Sequence, residues 1–114
     1  MSDCLFCKIA RKEIPAQIVF DDGDVLAFKD IHPQAPVHVL IIPKKHVANV
    51  LEISTEDVSL LGNIQRAAVA LADQFSVRAS GFRLVVNNGS DAGQAVGHLH
   101  YHFLAGRPLS WPPG

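Results

Sequence analysis

Gly97-His98-Leu99-His100-Tyr101-His102-Phe103-Leu104 alternates imidazoles with apolar side chains at a strict period of two. On a strand, successive side chains point to opposite faces. The stretch therefore predicts a strand with His98, His100 and His102 on one face and Leu99, Tyr101 and Phe103 in the core. Side chains two apart on a strand lie about 6.5–7 Å from each other, close enough for neighbouring rings to surround one small anion or one metal ion. Histidine at every outward position exceeds what a merely polar face requires, and marks a site.

Outward from this strand, Val37-His38-Val39-Leu40-Ile41-Ile42-Pro43 is rich in β-branched residues and reads as a central strand, with His38 its one polar member. Residues 17–20 and 25–28 pair as a hairpin about the turn Asp21-Asp22-Gly23-Asp24, and 82–87 form a further strand. Ser54 is placed to cap a helix whose first turn is acidic. Val58, Leu61, Ile64, Ala68, Leu71 and Phe75 continue it as one apolar stripe, about 30 Å long if unbroken. Residues 4–11 suit a short N-terminal helix that ends before Ile14-Pro15. The expected architecture is α+β: a five-stranded antiparallel sheet with one long helix and a short N-terminal one. No repeat or linker divides residues 1–114, which read as a single domain. In the tail, 107–114, three prolines exclude helix and central strand. Its Trp111, lodged among them, has no evident partner in its own chain and suits a neighbouring subunit.

Apolar residues make up 48% of the 114-residue chain, yet no run approaches the roughly 18 needed to cross a bilayer. Met1-Ser2-Asp3-Cys4 lacks the basic-then-apolar order of a secretory signal. Two cysteines are too few for a disulfide scaffold, and with a net charge of −1 the pairs Arg11-Lys12 and Lys44-Lys45 make no basic face for nucleic acid. A cytoplasmic protein with a small-molecule site, and no membrane or nucleic-acid partner, is expected.

A histidine strand of this kind can ligate a metal, supply a nucleophile whose second ring nitrogen is held by a carbonyl, or simply donate to an anion. The loop before it, 87–94, is rich in glycine and amides and offers backbone N–H groups of the kind that cradle phosphate oxygens. Loop and histidines together favour phosphoryl chemistry.

His98-Leu99-His100-Tyr101-His102-Phe103-Leu104 resembles the His-φ-His-φ-His-φ-φ motif of the histidine triad family, where φ is apolar. The flanking chain is similar to the family's nucleotide-binding branch, the adenosine phosphoramidases. The similarity runs from Phe6 to Gly114 through Arg11-Lys12-Glu13-Ile14-Pro15, Pro33-Gln34-Ala35-Pro36, Ile41-Ile42-Pro43-Lys44-Lys45-His46, Gly89-Ser90-Asp91 and Trp111-Pro112-Pro113-Gly114. The resemblance implies that His100 attacks the α-phosphorus of a purine nucleoside 5′-phosphoramidate. A nucleotidyl-histidine then forms and is cleaved by water, and no cofactor takes part. His102 would contact the phosphate, and His98 and His38 would complete the hydrogen-bonding chain that orients His100. Asn87, Gln94 and the backbone around Gly93 would hold phosphate oxygens. Asp30 would accept the ribose hydroxyls beside a base pocket of Leu5, Phe6, Ile9, Phe28 and Ile31. The resemblance also implies a homodimer with a continuous ten-stranded sheet, whose tail, with Trp111, reaches the neighbour's site.

The sequence departs from the family at Ala95, where a serine commonly assists the leaving amine. General-acid assistance is typically worth about 10²–10⁴-fold. This departure keeps two alternatives open: a nucleotide-binding interaction module with little turnover, and a hydrolase of dinucleoside polyphosphates or acyl-adenylates. His32 stands where the family usually has a small polar residue and is assigned no role. Cys4 and Cys7 have the spacing of half a zinc site. Relatives that carry this pair hold a structural zinc with two histidines, which here would be His46 and His98. Two inert buried cysteines are the alternative.

Overall fold

Val37–Pro43 (β3) lies at the centre of the sheet in a computed structural model that describes residues 4–114. The other strands are Ile18–Asp21 (β1), Val25–Lys29 (β2), Phe82–Val86 (β4) and Tyr101–Ala105 (β5). All neighbours run antiparallel in the order β1-β2-β3-β5-β4. Two helices complete the α+β fold, Leu5–Ala10 (α1) and Ser59–Gln74 (α2).

The two helices cover opposite faces of the sheet. Ile64, Ala67, Ala68, Leu71 and Ala72 of α2 pack with Val25, Ala27, Val39, Ile41, Leu99 and Phe103. On the other face, Phe6 and Ile9 of α1 pack with Leu26, Phe28, Leu40 and Ile42. Being buried on both sides, β2 and β3 read as continuous apolar runs rather than as an alternation. His38 and His102 lie on the α1 face, beside Leu40 and toward the edge that this short helix leaves uncovered.

Two expectations are corrected. The long helix does not start at Ser54. Thr55–Asp57 form a separate 3₁₀ turn, the Ser54 side chain makes no capping bond, and α2 begins at Ser59. Val58, expected on the buried stripe, is largely exposed. Without that anchor the first turn tightens, closed by Asp57 N–H to the Ser54 carbonyl at 3.0 Å. The 16 residues of α2 thus span about 24 Å rather than 30 Å. The histidine strand is also shorter than 97–104. Its ladder begins at Tyr101 opposite Ile41, and the register would place Leu99 opposite Pro43, which has no N–H to give. Leu99 N–H turns instead to the Val47 carbonyl at 2.6 Å. The alternation survives nonetheless, for Leu99 and Phe103 enter the α2 core while Phe6 of α1 touches the rings of His98 and His100.

Leu71→Ala should cost about 2–5 kcal/mol in chemical denaturation, the range for emptying a fully buried leucine site. Gln65→Ala on the exposed face of α2 should stay within about 0.5 kcal/mol. Equal losses would contradict this assignment of the helix faces.

Candidate active site

His38 on β3 and His102 on β5 meet across the sheet, with His38 Nε2 at 2.9 Å from His102 Nδ1. The backbone N–H of Gln34 points at His38 Nδ1 from 3.0 Å, so that nitrogen accepts and the ring proton lies on Nε2. His38 then donates to His102 Nδ1, which leaves the His102 proton on Nε2. Asp30, in the loop after β2, brings Oδ2 to 3.4 Å from His38 Nε2 and accepts His32 N–H on Oδ1 at 2.8 Å. Burial lowers the pKa of His38 despite the nearby Asp30 carboxylate. His102 is lowered to about 4, by burial first and then by the neighbouring His100 and His38. Both rings are neutral near pH 7.

His100 is buried just before β5 begins, with its Nδ1 at 2.8 Å from the carbonyl of His98. A carbonyl only accepts, so Nδ1 carries the proton and Nε2 keeps its lone pair. Phe6 packs edge-on to this ring with centroids 5.2 Å apart, and His102 lies beside it at 5.1 Å. His98 orients His100 through its backbone carbonyl, and its own ring is turned elsewhere. His38 contacts His102 rather than His100.

The His98 ring is completely buried and donates from Nε2 to the Pro43 carbonyl at 2.8 Å. Its Nδ1 lone pair faces Cys4 Sγ at 3.3 Å and Cys7 Sγ at 3.6 Å, while His46 Nδ1 is 3.2 Å from Cys7 Sγ. All four ligand atoms lie within 4.8 Å of one another. Zinc bond lengths of about 2.3 Å to sulfur and 2.0–2.1 Å to nitrogen give a tetrahedral S···N edge of about 3.6 Å. The cluster is therefore the right size for a metal ion, and the Pro43 carbonyl is the outer partner that metal-ligating histidines characteristically have. Asp30, His38 and His102 also cluster within 4.8 Å. There the Gln34 N–H occupies His38 Nδ1 and keeps the proton on Nε2, the atom that would have to ligate.

Beside His100 and His102 opens a cavity of about 420 Å³. Leu5, Phe6, Ile9, Phe28 and Ile31 line it together, with Asp30 on its wall. Ala95, Val96, Leu40 and the unassigned His32 contribute as well. Asn87 faces a second concavity of about 600 Å³ with His38, His102 and Arg83. The loop glycines are otherwise engaged. Gln94 donates to the Ala48 and Val96 carbonyls at 2.8 and 3.0 Å and accepts Gly89 N–H at 2.9 Å. Gly93 and Gln94 N–H close on Ser90 and Gly89. In this geometry Gly93 and Gln94 brace the loop rather than present free donors. Trp111 is 79% exposed and lies outside both concavities. Sequence reasoning missed Arg83 and the backbone partners Gln34 N–H and Pro43 C=O. Backbone groups carry no residue signature.

A HIT domain model matches residues 11–109. A HIT-like protein of Synechocystis sp. is 53% identical over 112 residues, covering 98% of this chain and 97% of that one. The crystal structure of a HIT family hydrolase from Legionella pneumophila superposes with a TM-score of 0.95 at 53% identity, covering 98% of this chain and 100% of its own. A histidine triad protein from Clostridium difficile gives 0.94 at 44% identity, with 96% of each chain covered. A histidine triad nucleotide-binding protein from Candida albicans gives 0.82 at 32% identity, covering 96% of this chain and 83% of that one.

Ring ¹⁵N shifts should show His102 neutral and protonated on Nε2 at about pH 5.5, where an ordinary imidazole of pKa about 6.5 is mostly charged. With a folded pKa of about 4, the unfolded chain takes up this proton first as pH falls. The resulting stability is whole above about 6.5 and is lost progressively toward 4. Titration of folded His102 near 6.5 would contradict the arrangement.

Proposed function

The chain belongs to the HIT family, and we propose that it is a purine nucleoside phosphoramidase that hydrolyses P–N bonds through a nucleotidyl-His100 intermediate. The observation that carries this reading is the 2.8 Å bond from His100 Nδ1 to the His98 carbonyl. It leaves the Nε2 lone pair beside a cavity with apolar walls and one carboxylate, Asp30.

The base enters between Leu5, Phe6, Ile9, Phe28 and Ile31, and the ribose hydroxyls approach Asp30. His100 Nε2 attacks the α-phosphorus, a P–N(His) bond forms, and the substrate's P–N bond breaks with its electron pair leaving on the amine. His102 donates Nε2–H to a non-bridging oxygen, a contact that strengthens as charge builds there. His38 holds His102 in the donating tautomer, and Asn87 approaches from the other side. Water then attacks the nucleotidyl-histidine, and His100 departs with its lone pair restored. Splitting one displacement into two is the advantage of a nucleophilic side chain. Ala95 supplies no proton to the amine, which must take it from water.

Cys4, Cys7, His46 and His98 would hold a zinc ion as a structural clip outside these steps. Free thiols in such a set suit a reducing, cytoplasmic compartment. Among the described residues no helix is long and apolar enough to cross a membrane. Residues 1–114 would act as one HIT domain within a homodimer. Phe82 and Val86 on edge strand β4, Val69 on α2 and Trp111 are exposed apolar side chains that a partner would cover. The tail's first residues are held by its own subunit, Arg107 donating to the Gln34 carbonyl and Arg83 to that of Leu109. Trp111 is left free to reach the neighbour's site. Ala95 favours a second reading, a nucleotide-binding module with little turnover.

Hydrolysis of adenosine 5′-phosphoramidate should fall by roughly 10³-fold or more in His100→Ala. Tight AMP binding without wild-type turnover would select the binding module, and activity surviving in His100→Ala would sink the nucleophile assignment. Ala95→Ser should accelerate expulsion of amine leaving groups, up to about 10²-fold, as read by single-turnover kinetics.

A further inference from the structure

The four-residue cluster joins two things that the reaction needs and that share little else. Cys4 and Cys7 begin the α1 segment, whose Leu5, Phe6 and Ile9 line the cavity. His98 supplies the carbonyl that sets the tautomer of His100. His46 follows β3 in the segment that turns back toward His98, where Val47 takes the Leu99 N–H. Helix α1 has six residues, far below the roughly 12–15 at which an isolated helix is even marginal. It holds its place through Phe6, Ile9 and Ala10 and through the two thiols. None of the four cluster residues belongs to the larger core between α2 and the sheet.

We propose that metal occupancy of Cys4, Cys7, His46 and His98 sets nucleotide affinity, by clipping α1, the wall of the base pocket, to the segment that carries His98 and His100. This rests on reading the 420 Å³ cavity as the nucleotide pocket. Phe6 stands edge-on to both His98 and His100, and a closed clip would hold this wall formed for the base. With it open, α1 must be ordered by the nucleotide itself, and affinity falls by the cost of that ordering. Coupling between two sites is reciprocal, so the nucleotide must tighten the metal by the same factor.

The test titrates AMP, which has no P–N bond to cleave, into the zinc-loaded and chelator-stripped protein by calorimetry. Zinc is then titrated with and without AMP, and backbone hydrogen exchange is followed in both states. One zinc per chain is expected, lost in the Cys4→Ser/Cys7→Ser variant. Stripping should raise the Kd for AMP by about 5- to 150-fold, re-addition of zinc should restore it, and the zinc Kd should shift equally. Faster exchange should be confined to residues 5–10. A zinc site whose removal leaves the AMP Kd unchanged overturns the inference and leaves the pocket reading intact. Exchange rising across β2, β3 and β5 also overturns it, since the metal would then hold the fold as a whole. A chain that takes up no zinc removes the clip. Zinc binding without AMP binding in either state removes the pocket reading beneath it.

Discussion

Pairing between β3 and β5 stops at Ile41 and Tyr101, and the site is built from what that stop leaves over. Pro43 offers no N–H opposite Leu99. The chain from Gly97 to His100 therefore runs beside β3 without a ladder, and two backbone carbonyls face imidazoles. That of His98 takes the proton of His100 Nδ1, and that of Pro43 takes the proton of His98 Nε2. Each contact decides which nitrogen keeps a lone pair, and the two lone pairs point to different places. One faces the cavity, the other the thiols. A fully paired strand would have aimed the same rings with less control over their tautomers.

Much of this was legible in the residues. The period-two histidines specified which side chains share a face, and the β-branched run of 37–43 marked it as the central strand. Family likeness also pointed to the apolar side chains around Phe6 and Phe28 and to Cys4, Cys7, His46 and His98, which the fold brings together. Where sequence reading failed, the cause was backbone. Nothing in His98 says that its carbonyl rather than its ring would hold His100. Nothing in Gln94 says that both its amide donors would be spent on Ala48 and Val96. The helix start at Ser54 failed for a related reason. A cap and acidic first turn are local preferences, and an exposed Val58 gives them no tertiary packing to hold.

The exposed side chains follow the same division. Leu5 and Ile31 are apolar and open to solvent, yet both lie on the cavity, so a bound planar group would cover them. Phe82 stacks on the buried Phe103 with centroids 4.6 Å apart and remains partly exposed on the edge strand. The exposed apolar side chains thus form separate patches, one on the cavity and one on the edge strand β4.

The neutrality of His38 and His102 has a consequence for selectivity. Among the described residues, Lys29 is the one lysine or arginine along the cavity wall, and its ammonium lies 6.0 Å from the centre of the Phe75 ring, which packs on the core between α2 and the sheet. A phosphate bound beside His100 and His102 would meet neutral ring donors, with Arg83 the fixed positive charge lining the adjoining concavity. Neutral rings recognise the position of oxygens more than their total charge, so discrimination by charge would fall to Arg83 on the adjoining concavity. If the proposed phosphoramidase reading holds, a nucleoside monophosphate product would leave the two rings without an ion pair to them being undone.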